Sequence, residues 1–203
     1  MEIRKLIYQI KNMPSRVRGL VNNLASQPLV DTYPGGVLTM SSCLSAKLIK
    51  QGNQIHDLGV LGSNMITQAG LTLLLTAWRD STTALGDLHF HGVGTGTTAE
   101  HDDQTALVTE ATDATGLLDA TRENGTKVLT PAAITTQDAG AVFLSSVATI
   151  DFDGSVAVTE HGLFSSATYG AGTMWDRTLF SVINAVNTDQ IQFTYQLRMN
   201  SAG

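Results

Sequence analysis

Nine residues near the C-terminus restrict the fold more than any other part of the chain. Ile191, Phe193, Tyr195, Leu197 and Met199 alternate with Gln192, Thr194, Gln196 and Arg198. Successive side chains of a strand point to opposite faces, so this pattern predicts a strand of an antiparallel sheet with one face buried and one wet. Residues 174–182 read as a second strand. Residues 142–152 read as a third, with Val142, Leu144, Ala148, Ile150 and Phe152 on one side. A sharp bend is expected at Thr159-Glu160-His161-Gly162 and a turn at Asp153-Gly154.

Further strands follow from the same reasoning. Residues 88–93 alternate and run into Gly94-Thr95-Gly96, and 37–49 reads as an edge strand. Asn124-Gly125 between two strand-like runs predicts a two-residue hairpin. Leu71, Leu74, Leu75 and Trp78 repeat at helical spacing, with Thr67 or Asn64 placed to cap and Ala69 and Gly70 small enough to lie on a sheet. We expect that helix to cover one face or end of the core, with Trp78 buried. The count is about seven or eight strands and one helix. The fold class is therefore mainly β: a jelly-roll-like antiparallel β-sandwich with one core helix and an N-terminal helical or extended arm.

The N-terminal region has a different pattern. Ile3, Leu6, Ile7, Ile10 and Met13 form a helical stripe, with Arg4, Lys5 and Lys11 mostly off it and Pro14 as the stop. Arg16 and Arg18 follow, and then Pro28, Pro34 and Gly35-Gly36 interrupt any regular structure. We divide the chain into an arm, 1–60, and a sandwich domain, 61–203. Residues 1–50 hold seven of the twelve Lys and Arg and two of the eighteen acids, a balance of +5 against −11 in the remainder. A helix this short is marginal alone and needs a surface to lie on.

A basic arm on an acidic body suits an acidic protein surface, nucleic acid or a neighbouring copy's body, and the last needs no foreign partner. Ile3, Arg4, Lys5, Leu6, Ile7, Ile10, Lys11, Arg16 and Arg18 are the expected partner-binding residues. Membrane binding is not expected, because neither Trp nor Phe marks the apolar stripe. Nucleic acid is disfavoured by the few aromatics, the acidic body and the lack of a reading module. Residues 3–10 are too often interrupted by polar side chains for a signal-peptide core, and 71–78 is too short to span a bilayer. The expected location is a cytoplasm until assembly.

Few patterns here carry chemistry. His89 and His91 are two apart in a predicted strand, so both rings share a face, and His101 with Asp102-Asp103 lies in the following loop. A transition-metal site needs three or four such ligands, and the plainer reading is a pair of solvent-facing imidazoles opposite buried Leu88 and Phe90. Gly92-Val93-Gly94-Thr95-Gly96 matches neither the dinucleotide fingerprint nor the P-loop, and points instead to a close crossing of backbones. No Gly-X-Ser-X-Gly elbow is present, and adjacent Glu160 and His161 would face opposite ways in a strand. Cys43 is alone, so no internal disulfide forms. We expect no catalytic residue, cofactor or metal.

Four segments carry a resemblance: Ile66-Thr67-Gln68-Ala69-Gly70-Leu71; Gly92-Val93-Gly94-Thr95-Gly96-Thr97-Thr98-Ala99; Val158-Thr159-Glu160-His161-Gly162-Leu163-Phe164; and Asp176-Arg177-Thr178-Leu179-Phe180-Ser181-Val182-Ile183-Asn184. With the alternating last strand, their order and spacing over 65–199 resemble a family of small tailed-bacteriophage virion proteins described as structural, decoration or tail-associated. The resemblance implies a non-enzymatic β-sandwich built into a virion as a homo-oligomer. A capsid decoration protein is the first expectation, and a tail, baseplate or fibre-base component the second. A carbohydrate-binding module is the rival from another class, with Trp175, Tyr169 and Tyr195 as its sheet-face aromatics.

Overall fold

A computed structural model describes residues 37–80, 85–131 and 141–202. The expected arm helix and the nine expected partner-binding residues, Ile3 to Arg18, lie outside them. Ten strands are described: β1 (Val37–Lys50), β2 (Gln54–Ser63), β3 (Met65–Ile66), β4 (Phe90–Gly94), β5 (Glu123–Asn124), β6 (Thr126–Pro131), β7 (Ala141–Asp151), β8 (Val156–Phe164), β9 (Met174–Ala185) and β10 (Gln190–Ala202). The helix α1 (Gln68–Arg79) follows β3. One sheet has the order β2-β1-β10-β7-β6 and the other β3-β9-β8-β4-β5. The two pack face to face as the expected antiparallel sandwich.

The alternating segment is β10, at the centre of the first sheet, paired with β7 from Gln190↔Asp151 to Asn200↔Ala141. Its inward residues Ile191, Phe193, Tyr195 and Leu197 are buried, and they meet Val93, Leu163, Trp175 and Phe180 of the second sheet in one core. Burying each such side chain is worth about 1.5–3 kcal/mol, so this seam dominates the fold's stability. The expected strands at 37–49, 142–152 and 174–182 are β1, β7 and β9. β1 is flanked on its outer side by β2, which forms the edge instead.

The expected bend at Thr159 is a β-bulge. β8 runs unbroken from Val156 to Phe164 against β9, with a register shift between Val158 and Glu160. An extra residue kinks a strand without ending it.

Asn124-Gly125 is not a hairpin either. Asn124 pairs with Phe90 in the second sheet, and Thr126 pairs with Val147 in the first. The chain changes sheets at Gly125, where a β-carbon would lie 2.1 Å from the Ser146 hydroxyl. Glycine is there for close approach and not for a left-handed turn.

α1 corrects a further expectation. Thr67 caps it as anticipated, its hydroxyl accepting from the Gly70 amide at 2.9 Å and donating to the Met174 carbonyl at 2.6 Å. Gly70 sits against Trp175, and Leu74, one turn on, packs against the core. That line fixes the buried face, so residues one step around the helix turn outward. Leu71, Leu75 and Trp78 are exposed, Trp78 by 82%.

Candidate functional site

The two imidazoles expected on one face are separated. β4 begins after His89, whose Nδ1 lies 2.6 Å from the Gly86 carbonyl and 3.0 Å from Lys127 Nζ in a turn outside the strand. His91 instead points into the core and is 1% exposed, so the solvent-facing reading fails for it. Its Nδ1 is 2.9 Å from His161 Nε2, and its Nε2 is 2.9 Å from Ser146 Oγ. β4, β8 and β7 supply these three groups, which bridge the two sheets. The other face of the His161 ring lies 4.9 Å from Phe193.

Burial drives both imidazoles toward the neutral form: His91 is pushed down to about 3, with a further push from His89, and His161 well below its ordinary range, with a further push from His91. A Ser–His–His chain has the parts of a proton relay, yet the adjoining void is only about 10 Å³, the size of one water. Ser146 is 1% exposed, so its hydroxyl is closed off from solvent. The array is a polar peg that fixes how the sheets register. Sequence parity put His91 beside His89 on the wet face, and no local pattern says that its face turns inward.

The outer face of the second sheet is covered by the loop after β4. Glu160 and Arg177 form an ion pair at 2.8 Å with both side chains fully buried. The same carboxylate accepts from the backbone amides of Gly96 at 2.9 Å, Thr109 at 2.8 Å and Val108 at 3.1 Å. A β-carbon at Gly94 or Gly96 would come within 2.5 Å of Glu160 Oε1, so the glycines serve the close crossing read from the sequence. Arg122 closes the rest: it grips Glu110 at 2.5 and 3.0 Å, donates to the Ser166 and Ala171 carbonyls and lies 3.5 Å over the Phe164 ring. Sequence reasoning missed both clamps. Glu160 within an otherwise apolar strand was the available signal.

His101, Asp102 and Asp103 do bring one ligand atom each together, His101 Nδ1 being 2.7 Å from Asp103 and 3.2 Å from Asp102. All three are neighbours in one exposed loop, and neither His89 nor His91 joins them. Asp102 also accepts from Gln68 at 3.0 Å, which ties the loop to the start of α1 and holds its carboxyl below the usual range.

No protein family, curated protein or solved structure matches the chain. The chemistry of the surface therefore has to speak for itself.

An apolar groove of about 380 Å³ opens at one end of the sandwich. Leu74 of α1, Leu85 and Leu88 of the following turn, Leu129 of β6, Leu144 of β7 and Leu197 of β10 line it. Val128, Leu129 and Val142 stand exposed at this end, and Leu71, Leu75 and Trp78 are exposed on α1. Of the three aromatics proposed for sugar stacking, Trp175 and Tyr195 line this groove and Tyr169 does not. Trp175 and Tyr195 are buried and bonded to each other at 2.7 Å, while the Tyr169 hydroxyl is held by the Asp119 and Thr121 carbonyls.

Proposed function

We propose that this protein is a non-enzymatic structural component of a bacteriophage virion, a capsid decoration protein arrayed in many copies and anchored to neighbouring subunits through its N-terminal arm. The observation that carries the reading is the apolar groove, together with the outward leucines and Trp78 of α1. Large apolar patches open to water mark contacts with other proteins. Among the described residues that line the groove, Lys127 and Tyr195 alone carry an ionisable group. The sequence resemblance and the sandwich body agree with this reading. In the arm, burying Ile3, Leu6, Ile7 and Ile10 would supply on the order of 6–10 kcal/mol before ordering costs. Repetition over a shell multiplies weak contacts by avidity.

Cryo-microscopy of purified particles tests the location: density on the capsid lattice supports decoration, and density confined to the tail moves the protein to a baseplate or fibre-base role. Deleting residues 1–36 tests the anchor. The body should stay folded, because its core comes from β1 to β10, and it should fail to join particles. Normal incorporation of the truncated chain would remove the arm from the reading.

A further inference from the structure

We infer that the apolar groove between α1, β6, β7 and β10 receives the Ile3–Leu6–Ile7–Ile10 stripe of a second copy of this same chain. The inference rests on the assembly reading above and names the acceptor within it.

The first argument is chemical match. The groove walls are mostly leucines and other apolar side chains, with Lys127 as their one charged member among the described residues, and the stripe offers four aliphatics at i, i+3, i+4 and i+7. This is the helix-in-groove mode, in which anchors on one helical face enter an apolar trough.

Charge gives the second argument. Residues 1–36 carry five Lys and Arg against two acids, a balance of +3, while the rest of the chain balances at −9. Arm and body attract each other, whereas body and body repel. Asp87 lies exposed in the turn whose Leu85 and Gly86 border the groove, while the Nζ of Lys127 on the wall is held by the Gly86 carbonyl.

The third argument is length. Cys43 reaches Gln196 and Ser45 reaches Thr194, so β1 runs antiparallel to β10, with its first half across from Leu197 and Met199, which line the groove. The chain therefore enters the body beside its own groove. A helix meant for that groove would need only a short turn of about 4–6 residues. Residues 14–36 separate stripe and body instead, and a stretch of that length extends to roughly 75 Å. A body of this size has a radius of gyration of about 15 Å. The connection is long enough to cross to a neighbour.

The test uses the full-length chain carrying Cys43→Ser, with one new cysteine on each of two variants, Ile7→Cys and Leu129→Cys. Mixed in equal amounts under mild oxidation, they should yield a covalent dimer of two different chains. Either variant alone should yield much less of it. In the unmodified chain, Ile7→Asp and Leu129→Asp should each weaken self-association at least tenfold in sedimentation, with unchanged circular dichroism. The inference is overturned if the mixture gives no mixed dimer. It is equally overturned if Ile7→Cys/Leu129→Cys in one chain closes only on itself. Arm deletion separates the two proposals: loss of particle incorporation without the mixed dimer would leave the virion reading standing and transfer the arm to another capsid protein.

Discussion

Glu160 and Arg177 pair at 2.8 Å with neither side chain exposed, and the carboxylate of the pair anchors the loop after β4. Removing one partner of a buried ion pair strands the other charge and costs about 3–5 kcal/mol. Glu160→Leu should cost at least that much, because the amides of Gly96, Val108 and Thr109 lose their acceptor as well. Arg177→Met should be milder, since the carboxylate keeps its three amide donors. Urea denaturation gives the order of the two variants. Hydrogen exchange should show the amides of Gly96, Val108 and Thr109 opening first in Glu160→Leu.

The buried histidines set an acid limit. A group whose folded pKa lies below its unfolded value binds its proton more readily when the chain opens. The pair's contribution is thus complete above about pH 6.5 and is lost as pH falls from there toward about 3, the value for His91. In His161→Gln, which keeps a polar partner for His91, stability should fall less steeply between pH 6.5 and 4. The slope should lessen by about 1.4 kcal/mol per pH unit for the proton removed. An unchanged slope in pH-dependent melting would contradict this.

Asp176 acts in the opposite sense. Burial outweighs its bonds from Asn64 and the Leu163 amide and raises it to about 7. The folded protein holds that proton between about pH 4 and 7 while the unfolded chain does not, so stability drains away as pH rises through this window. Asp176→Asn should flatten the drop toward neutrality and leave the acid limb to the histidines. Calorimetry at pH 5 and 7 measures it.

Gly70 lies mid-helix, where alanine would ordinarily add about 1 kcal/mol of helix propensity. Here a β-carbon would fall 2.5 Å from the Trp175 carbonyl oxygen, a backbone atom of β9 that cannot swing aside. Overpacking of this kind costs about 1–3 kcal/mol, so Gly70→Ala should destabilise on balance. A higher melting temperature in the variant would show that α1 can lift from the sheet freely.

Trp78 and Trp175 give an optical readout, being 82% and 3% exposed. Iodide should quench Trp78 and spare Trp175 in the free protein. Trp78→Ser should change stability by less than about 0.5 kcal/mol, as surface substitutions do. If the outward face of α1 is covered on assembly, the quenchable fraction should vanish in particles.

The sheet containing β10 was legible because one face is wet, which leaves an alternating trace in the sequence. β8 left none: Val158 to Phe164 are all buried, since the Glu160-bound loop covers the face that would otherwise be polar. β2 was missed for the reverse reason, its residues 54–60 being exposed on both sides. Asn124-Gly125 was misread because a glycine chosen for close approach looks the same as one chosen for a hairpin. Trp78 was placed inside because helical spacing shows that a stripe exists without showing which way it faces. The buried His91–His161–Ser146 array joins residues 55 and 70 positions apart, which no local pattern reveals.

One feature of the first sheet bears on how the molecule is made. β10 lies between β1 and β7, yet it leaves the ribosome after every other described strand. Until it emerges, that sheet exists only as two unconnected halves, and the nascent chain must wait with its greasy surfaces open. Long-range pairing of this kind folds slowly and risks premature clumping. A chain cut short before Gln190 would leave those two halves unjoined, so a truncated product has no route to this sheet.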